Sequence, residues 1–170
     1  MNDVVVLVPC YEREDQVKKM LNHYATMKLD VVIMAQKYDK NFYDFIYKIM
    51  DKFIGNLFVI VKDDFEPIVK VRKELIDYAL VFVPSLKDFK DIKYNCVLIH
   101  DNDIMFDRDD IKDMKHCLVF YNDVYMASPG CIKKEHFIKK ITKENEYDYI
   151  YNDNDIKKGM GVFFNPQQNE

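Results

Sequence analysis

The sequence predicts an α/β fold: a mostly parallel central sheet with helices on both faces. Two observations carry this. Short, continuous apolar runs rich in β-branched residues alternate with longer stretches whose apolar residues recur at helical spacing, from Val4 to Asp101. That alternation gives a parallel sheet with crossover helices. The apolar runs also lack polar alternation, as expected of strands buried on both faces.

The elements follow in order. "VVVLVP", Val4 to Pro9, is the first strand. "EREDQVKKMLNHYATM" places Val17, Met20, Leu21 and Tyr24 on one helical face, with Asp15 as its expected cap. "DVVIMAQ" is a second buried strand. "NFYDFIYKIMDKF" aligns Phe42, Phe45, Ile46, Ile49, Met50 and Phe53 along a second helix, and "NLFVIV" is the third strand. "EPIVKVRKELIDYAL" is a third helix with Pro67 near its first turn and Ile68, Val71, Leu75 and Tyr78 on its apolar face. "NCVLIHD" is the fourth strand. Beyond it, "DRDDIKDMKHC" reads as a short helix, and "LVFYNDVYMASPG" as a strand with a turn, Pro129-Gly130 being a loop signal. "CIKKEHFIKKIT" reads as a helix or as a strand leading into one. "EYDYIYNDNDIKKGMGVFF" reads as a strand, an acidic corner, one helical turn closed by Gly159 and a final strand. Residues 1–165 form one expected domain, and 166–170 a frayed tail.

Composition narrows the function classes. With 49% hydrophobic and 32% charged residues the chain reads as soluble and globular. No window approaches the roughly 20 apolar residues of a membrane span. Met1 to Cys10 lacks a basic n-region, so it does not read as a signal peptide. Four widely spaced cysteines, without C-x-x-C, read as reduced thiols of a cytoplasmic protein. A net charge of −4 gives no global attraction to nucleic acid. There is no G-x-G-x-x-G and no Walker A loop.

Four stretches can carry chemistry. In "CVLIHDNDIMFD" an apolar strand ends on Asp101 and Asp103. Like charges side by side are unfavourable unless a cation lies between them. In an extended segment the two carboxylates share one side, about 7 Å apart, and His100 points away. So placed, they suit a hard divalent ion that leaves room for substrate phosphates. A bare D-x-D, read alone, favours an ordinary polar turn; its place at the end of the fourth strand of an alternating α/β pattern raises the functional reading. "PCYERE" (Pro9, Tyr11, Glu12 and Arg13 among its residues) ends the first strand at the same edge, as a loop able to cradle a base or ribose. Read alone it is a plain strand-to-helix loop, where Glu12, Glu14 and Asp15 suit the helix N-terminus. Arg72 falls on the polar side of the third helix. It is either a solvated residue or a fork for a pyrophosphate or a site carboxylate. Asp153 and Asp155 precede a helical turn, as N-caps or as a general base.

In this order the pieces resemble the GT-A fold of nucleotide-sugar-dependent glycosyltransferases, in particular the inverting, family 2-like type and its small soluble phage and bacterial members. The similarity runs from about Val4 to Phe164. "VVVLVPCYEREDQVKKML" resembles the strand ending in Pro-x-aromatic, "KVRKELIDYA" the Ala-Arg-Asn helix, and "VLIHDND" the D-x-D strand. "YMASPGCIKKEHFIKKI" and "YNDNDIKKGMGVFF" resemble the late basic and acidic segments. Glu12 stands where the family often has Asn, Lys73 where it has Asn, and "MAQKYDK" where it has an acidic signal. The resemblance implies a glycosyltransferase, hexosyl or pentosyl, with Mn2+ or Mg2+ on Asp101 and Asp103. It also implies donor contacts from Pro9, Tyr11, Glu12, Arg13, Arg72 and Asp101, and Asp153 or Asp155 as the base. The implied donor is a nucleotide-diphosphate sugar, foremost a UDP-sugar. The acceptor is a hydroxyl, with a glycan or a hydroxymethylated DNA base as examples. The alternatives are a non-catalytic nucleotide-binding protein of the same fold and a sugar nucleotidyltransferase. The latter normally needs glycines that "VPCYERE" lacks.

Overall fold

A computed structural model of the chain describes residues 3–94, 96–120, 126–130, 137–141 and 162–164. Strands β1 (Val4–Tyr11), β2 (Asp30–Gln36), β3 (Leu57–Lys62) and β4 (Cys96–Ile99) are parallel, in the order β3-β2-β1-β4. The sheet continues as β7 (Val162–Phe164), β5 (Met126–Gly130) and β6 (Phe137–Ile141), each antiparallel to its neighbour.

Alternation along each strand builds two cores, because successive side chains face opposite sides of a sheet. Val4, Val6, Val8 and Cys10 of β1 join Val31, Ile33 and Ala35 of β2 on one face. There they meet Val17, Met20, Leu21 and Tyr24 of α1 (Glu14–Ala25) and Phe42, Ile46 and Ile49 of α2 (Lys40–Met50). Ile111 and Met114 of the helix Arg108–Phe120 close the same core. Val5, Leu7, Val32, Met34, Val97 and Ile99 line the other face, under Val71 and Leu75 of α3 (Ile68–Asp77). Past α3 a wider π turn (Tyr78–Phe82) runs into the single turn α4 (Val83–Ser85), which makes the Arg108–Phe120 helix α5. Fully burying each aliphatic side chain contributes roughly 1.5–3 kcal/mol, so the two cores, not single contacts, hold the sheet.

At the amino edge, Asp30 is fully buried and accepts from the Asn56 backbone N–H (2.8 Å), Asn56 Nδ2 (2.9 Å) and the Tyr94 hydroxyl (2.8 Å). Among the described residues no helix is long and apolar enough to cross a membrane. Cys10 and Cys96 are buried free thiols. Burial pushes the Cys10 thiol far up and the Cys96 thiol up to about 12, so both stay protonated.

The departures from expectation have local causes. β1 does not stop at Pro9 but runs to Tyr11, pairing Pro9 with Met34. The Leu7 carbonyl accepts from His100 N–H on the β4 side, where β4 has ended at Ile99. Pro9, facing the same way two residues on, meets no strand that would need its missing N–H. Pro129 and Gly130 are strand residues rather than a loop, pairing with Ile138 and Phe137 of β6. β7 contacts only Met126 and Ala127 of β5, so the Pro again sits past the end of a neighbour. α5 extends through Leu118–Phe120, which the sequence assigned to a strand. Met50 is 41% exposed rather than part of the α2 core face. Asp15 lies inside the first turn of α1, and Arg13 takes the cap position. The "CIKKEHFIKKIT" stretch contains strand β6. Gly159 lies outside the described residues.

Candidate functional site

The carboxyl ends of the strands form a cleft of about 500 Å³. Pro9, Tyr11, Glu12 and Arg13 come from the end of β1 and the turn after it, and Gln36 from the end of β2. Phe65, Glu66, Ile68 and Arg72 come from the approach to α3 and from α3 itself. Asp101, Asn102 and Asp103 come from the turn after β4. Every described residue nominated from the sequence therefore lines one crevice. Asp153 and Asp155 lie outside the described residues.

The D-N-D segment is a turn and not an extended strand end: Ile104 N–H donates to the Asp101 carbonyl at 3.2 Å. Its two carboxylates are separated by giving each its own guanidinium. Arg72 Nη2 donates to Asp101 Oδ1 at 3.1 Å, and Arg13 Nη1 pairs with Asp103 Oδ2. Arg72 is not on a solvated helix face; its side chain is 1% exposed. The apolar face of α3 is wide enough to carry it down between Val71 and Leu75 until its fork meets Asp101. Burial raises the Asp101 carboxyl above its usual range, and the Arg72 charge pulls it back only in part.

His100 turns into the core, as regular strand geometry requires, and is no ligand. It is fully buried, with Nδ1 2.7 Å from the Asp101 carbonyl and Nε2 2.8 Å from the Tyr24 hydroxyl. A carbonyl only accepts, so Nδ1 carries the proton and Nε2 accepts from Tyr24. The Tyr24 oxygen in turn accepts from Phe106 N–H at 3.1 Å. Burial pushes the His100 pKa down to about 4, which fits this neutral ring. The chain Phe106–Tyr24–His100–Asp101 braces the acidic turn from below.

The first loop is equally fixed. Glu12 and Arg13 both adopt left-handed backbone, φ 55° and 50°, unusual for side chains with a Cβ. Asn102 Nδ2 donates to the Tyr11 carbonyl (3.2 Å), and the Tyr38 hydroxyl donates to the Glu12 carbonyl. The Tyr11 ring meets Phe65 edge-on with centroids 4.9 Å apart. Gln36, 2% exposed, accepts from Glu66 N–H at 2.7 Å and ties β2 to the approach of α3. Sequence reasoning missed Gln36, Phe65, Tyr38, Tyr24 and the role of Asn102. Gln36 had a readable signal, being the polar residue that ends a continuous apolar strand.

Among the described residues no group of three or more His, Cys, Asp or Glu converges as a metal cage. A Mg2+-like ion is typically held by one or two carboxylates together with substrate phosphates and water. Asp103, with a third of its side chain exposed in the cleft, fits that pattern directly. Asp101 fits it as a neighbour already steadied by Arg72.

No family model and no curated protein matches the chain. Solved structures do. The crystal structure of S. aureus TarS 1–349 aligns with TM-score 0.52 and 20% identity, over 72% of this chain and 33% of that one. A second S. aureus TarS structure gives TM-score 0.51 and 19% identity, over 74% and 21%. The likeness is one of fold: a parallel α/β sheet with helices, shared with solved glycosyltransferase structures. The apo-form glycosyltransferase GlyE of Streptococcus pneumoniae TIGR4 aligns more loosely, with TM-score 0.44 and 14% identity over 88% of this chain and 36% of that one. The chain spans a third or less of the TarS chains it matches.

Proposed function

We propose that the chain binds a nucleotide-diphosphate sugar in the strand-end cleft and transfers its glycosyl group to an acceptor hydroxyl, with Mn2+ or Mg2+ as cofactor. One observation carries the reading. The cleft lining holds four carboxylates, Glu12, Glu66, Asp101 and Asp103, against two guanidiniums, Arg13 and Arg72. Such a lining does not attract a diphosphate by itself. It takes one together with a divalent cation, which is the combination a nucleotide-sugar donor requires.

The residues then divide the work. Tyr11 and Phe65 offer an aromatic wall for the base, and Gln36 a buried amide beside it. Asp103, with Asp101 next to it, would hold the ion, which when bound neutralises charge on the departing diphosphate. Arg72 favours the charged form of Asp101 and aims it, against the burial that raises the carboxyl. The His100–Tyr24 brace fixes the turn, so the carboxylates need no rearrangement on binding. Asp153, or else Asp155, is the proposed base that takes the acceptor proton, giving inversion by a single displacement.

Thermal stabilisation by UDP, GDP, ADP and CDP and their sugars, with and without Mn2+, tests this on the native chain and on Asp103→Asn. A ligand at a hundred times its dissociation constant stabilises by about 2.7 kcal/mol. A metal-dependent shift with one nucleotide, lost in Asp103→Asn, is expected. No shift with any nucleotide would reduce the D-N-D to a structural turn and leave a non-catalytic relative of the fold.

A further inference from the structure

This inference deepens the donor-site reading and rests on it. Arg13 and Arg72 hold two acids of one turn, but only Arg13 is able to leave. Its side chain is 56% exposed, whereas that of Arg72 is 1% exposed. The backbone under Arg13 is fixed. Asn102 holds the Tyr11 carbonyl at 3.2 Å, Tyr38 holds the Glu12 carbonyl, and α1 starts at the next residue, Glu14. A pinned Cα with an exposed side chain gives a guanidinium that swings over the cleft without moving the loop.

We propose that Arg13 is an exchangeable counter-cation: it neutralises Asp103 in the free protein, gives that carboxylate up to a divalent ion, and then turns its fork to the donor diphosphate. A divalent ion bound to Asp103 repels a guanidinium held against the same carboxylate and so weakens the exposed Arg13 pair. Asp101 is committed to a buried partner, so Asp103 is where the exchange takes place. Opening an exposed ion pair costs little. The freed guanidinium matches phosphate oxygens two at a time, which an ammonium does not. Of the two further acids in the cleft lining, Glu12 and Glu66, Glu66 does not compete for Arg13, being held by Lys70 at 2.7 Å and Lys62 at 3.5 Å.

The test is a pair of binding measurements on the native chain, Arg13→Gln and Arg13→Lys. Mn2+ alone is titrated by loss of the free-ion spin resonance signal. UDP, GDP, ADP and CDP are titrated calorimetrically at saturating Mn2+. The expected signs are opposite. Arg13→Gln binds Mn2+ about three- to fivefold more tightly, the reciprocal of a surface ion pair's worth. It binds the nucleoside diphosphate about tenfold more weakly, the worth of a lost charge-assisted hydrogen bond. Arg13→Lys keeps native-like Mn2+ affinity and shares the nucleotide loss. A loop damaged by substitution would weaken both ligands instead. Unchanged or weaker Mn2+ binding in Arg13→Gln overturns the exchange. Nucleotide binding that is absent from the native chain overturns the donor-site reading and the second contact, while the Mn2+ arm still decides the first.

Discussion

Asp101 and Asp103 belong to one turn, and each faces one arginine, yet the surroundings of the two pairs are opposite. At the Asp101 corner the arginine comes up from α3 through the core and is shut away from water, and the His100 ring is stacked beneath by hydrogen bonds. At the Asp103 corner the arginine comes from an exposed left-handed loop and lies over the surface. Burial makes a charge pair costly to form and more costly to break, whereas exposure makes it nearly free in both directions. One corner is therefore framework and the other is available for exchange, although residue types alone make them look alike.

The largest effect should come from breaking the buried corner. Arg72→Met leaves Asp101 without its guanidinium in a site that already disfavours its charge. Removing one partner of a buried pair costs about 3–5 kcal/mol. The low end, about 3 kcal/mol by urea unfolding at pH 7, is expected here, because Asp101 keeps 27% exposure and can take up a proton. A loss below about 1 kcal/mol would mean that Arg72 is solvated in solution. Next comes the brace. His100 titrates at about 4 in the fold and near its usual 6.5 when unfolded. Between those values the unfolded chain binds a proton that the native ring refuses, so stability falls as pH is lowered from 6.5 to 4. The shift corresponds to up to about 3 kcal/mol. His100→Gln should flatten this part of the stability-against-pH curve relative to the native chain. Identical slopes would place His100 in solvent.

How much of this was legible in the sequence follows the same division. The parallel half of the sheet was readable because β1, β2, β3 and β4 are continuous apolar runs; β1, β2 and β4 are buried on both faces, whereas β3, at the sheet edge, leaves Val61 53% exposed. The nominated loops were readable because polar residues at the carboxyl ends of such strands must gather at one edge. For Arg72 the expected fork to a site carboxylate agrees with its pair to Asp101, but its placement on the polar face does not hold: its neighbours Lys70, Lys73 and Glu74 are all charged, and helical spacing does not show whether one long side chain threads inward. The Tyr24–His100 contact joins residues 76 apart in sequence, with no local pattern to announce it. The π turn after α3 and the strand assignment of Pro129 depend on what neighbouring elements leave unpaired, which is a tertiary fact.

A middle-sized effect sharpens the view of the brace. Tyr24→Phe removes one hydroxyl that donates to His100 Nε2 and accepts from Phe106 N–H, with no change in ring packing. Two buried polar groups lose their partner. The expected cost is about 2 kcal/mol, against roughly 1–3 for each buried group left unsatisfied when nothing relaxes. His100 then has less reason to keep Nε2 unprotonated, and its imidazole carbon shifts, followed by NMR against pH, should show a higher pKa than in the native chain. A full-size stability loss with an unmoved His100 titration would assign Tyr24 to packing alone.

The smallest effect is at the exposed corner, and its smallness is what matters. Arg13→Gln should change unfolding free energy by less than about 1 kcal/mol, since exposed pairs contribute 0–1 kcal/mol. Glutamine keeps a Cβ, so the left-handed backbone at φ 50° is as strained as before and the comparison isolates the ion pair. Arg13→Gly removes the same pair but also relieves that backbone, where a Cβ costs roughly 1–2 kcal/mol. Part of this relief is offset by the extra freedom glycine gives the unfolded chain. Arg13→Gly should therefore be at least as stable as Arg13→Gln by urea unfolding. If Arg13→Gln instead lost as much as Arg72→Met, both arginines would be framework, and Asp103 would have no exchangeable partner to give up.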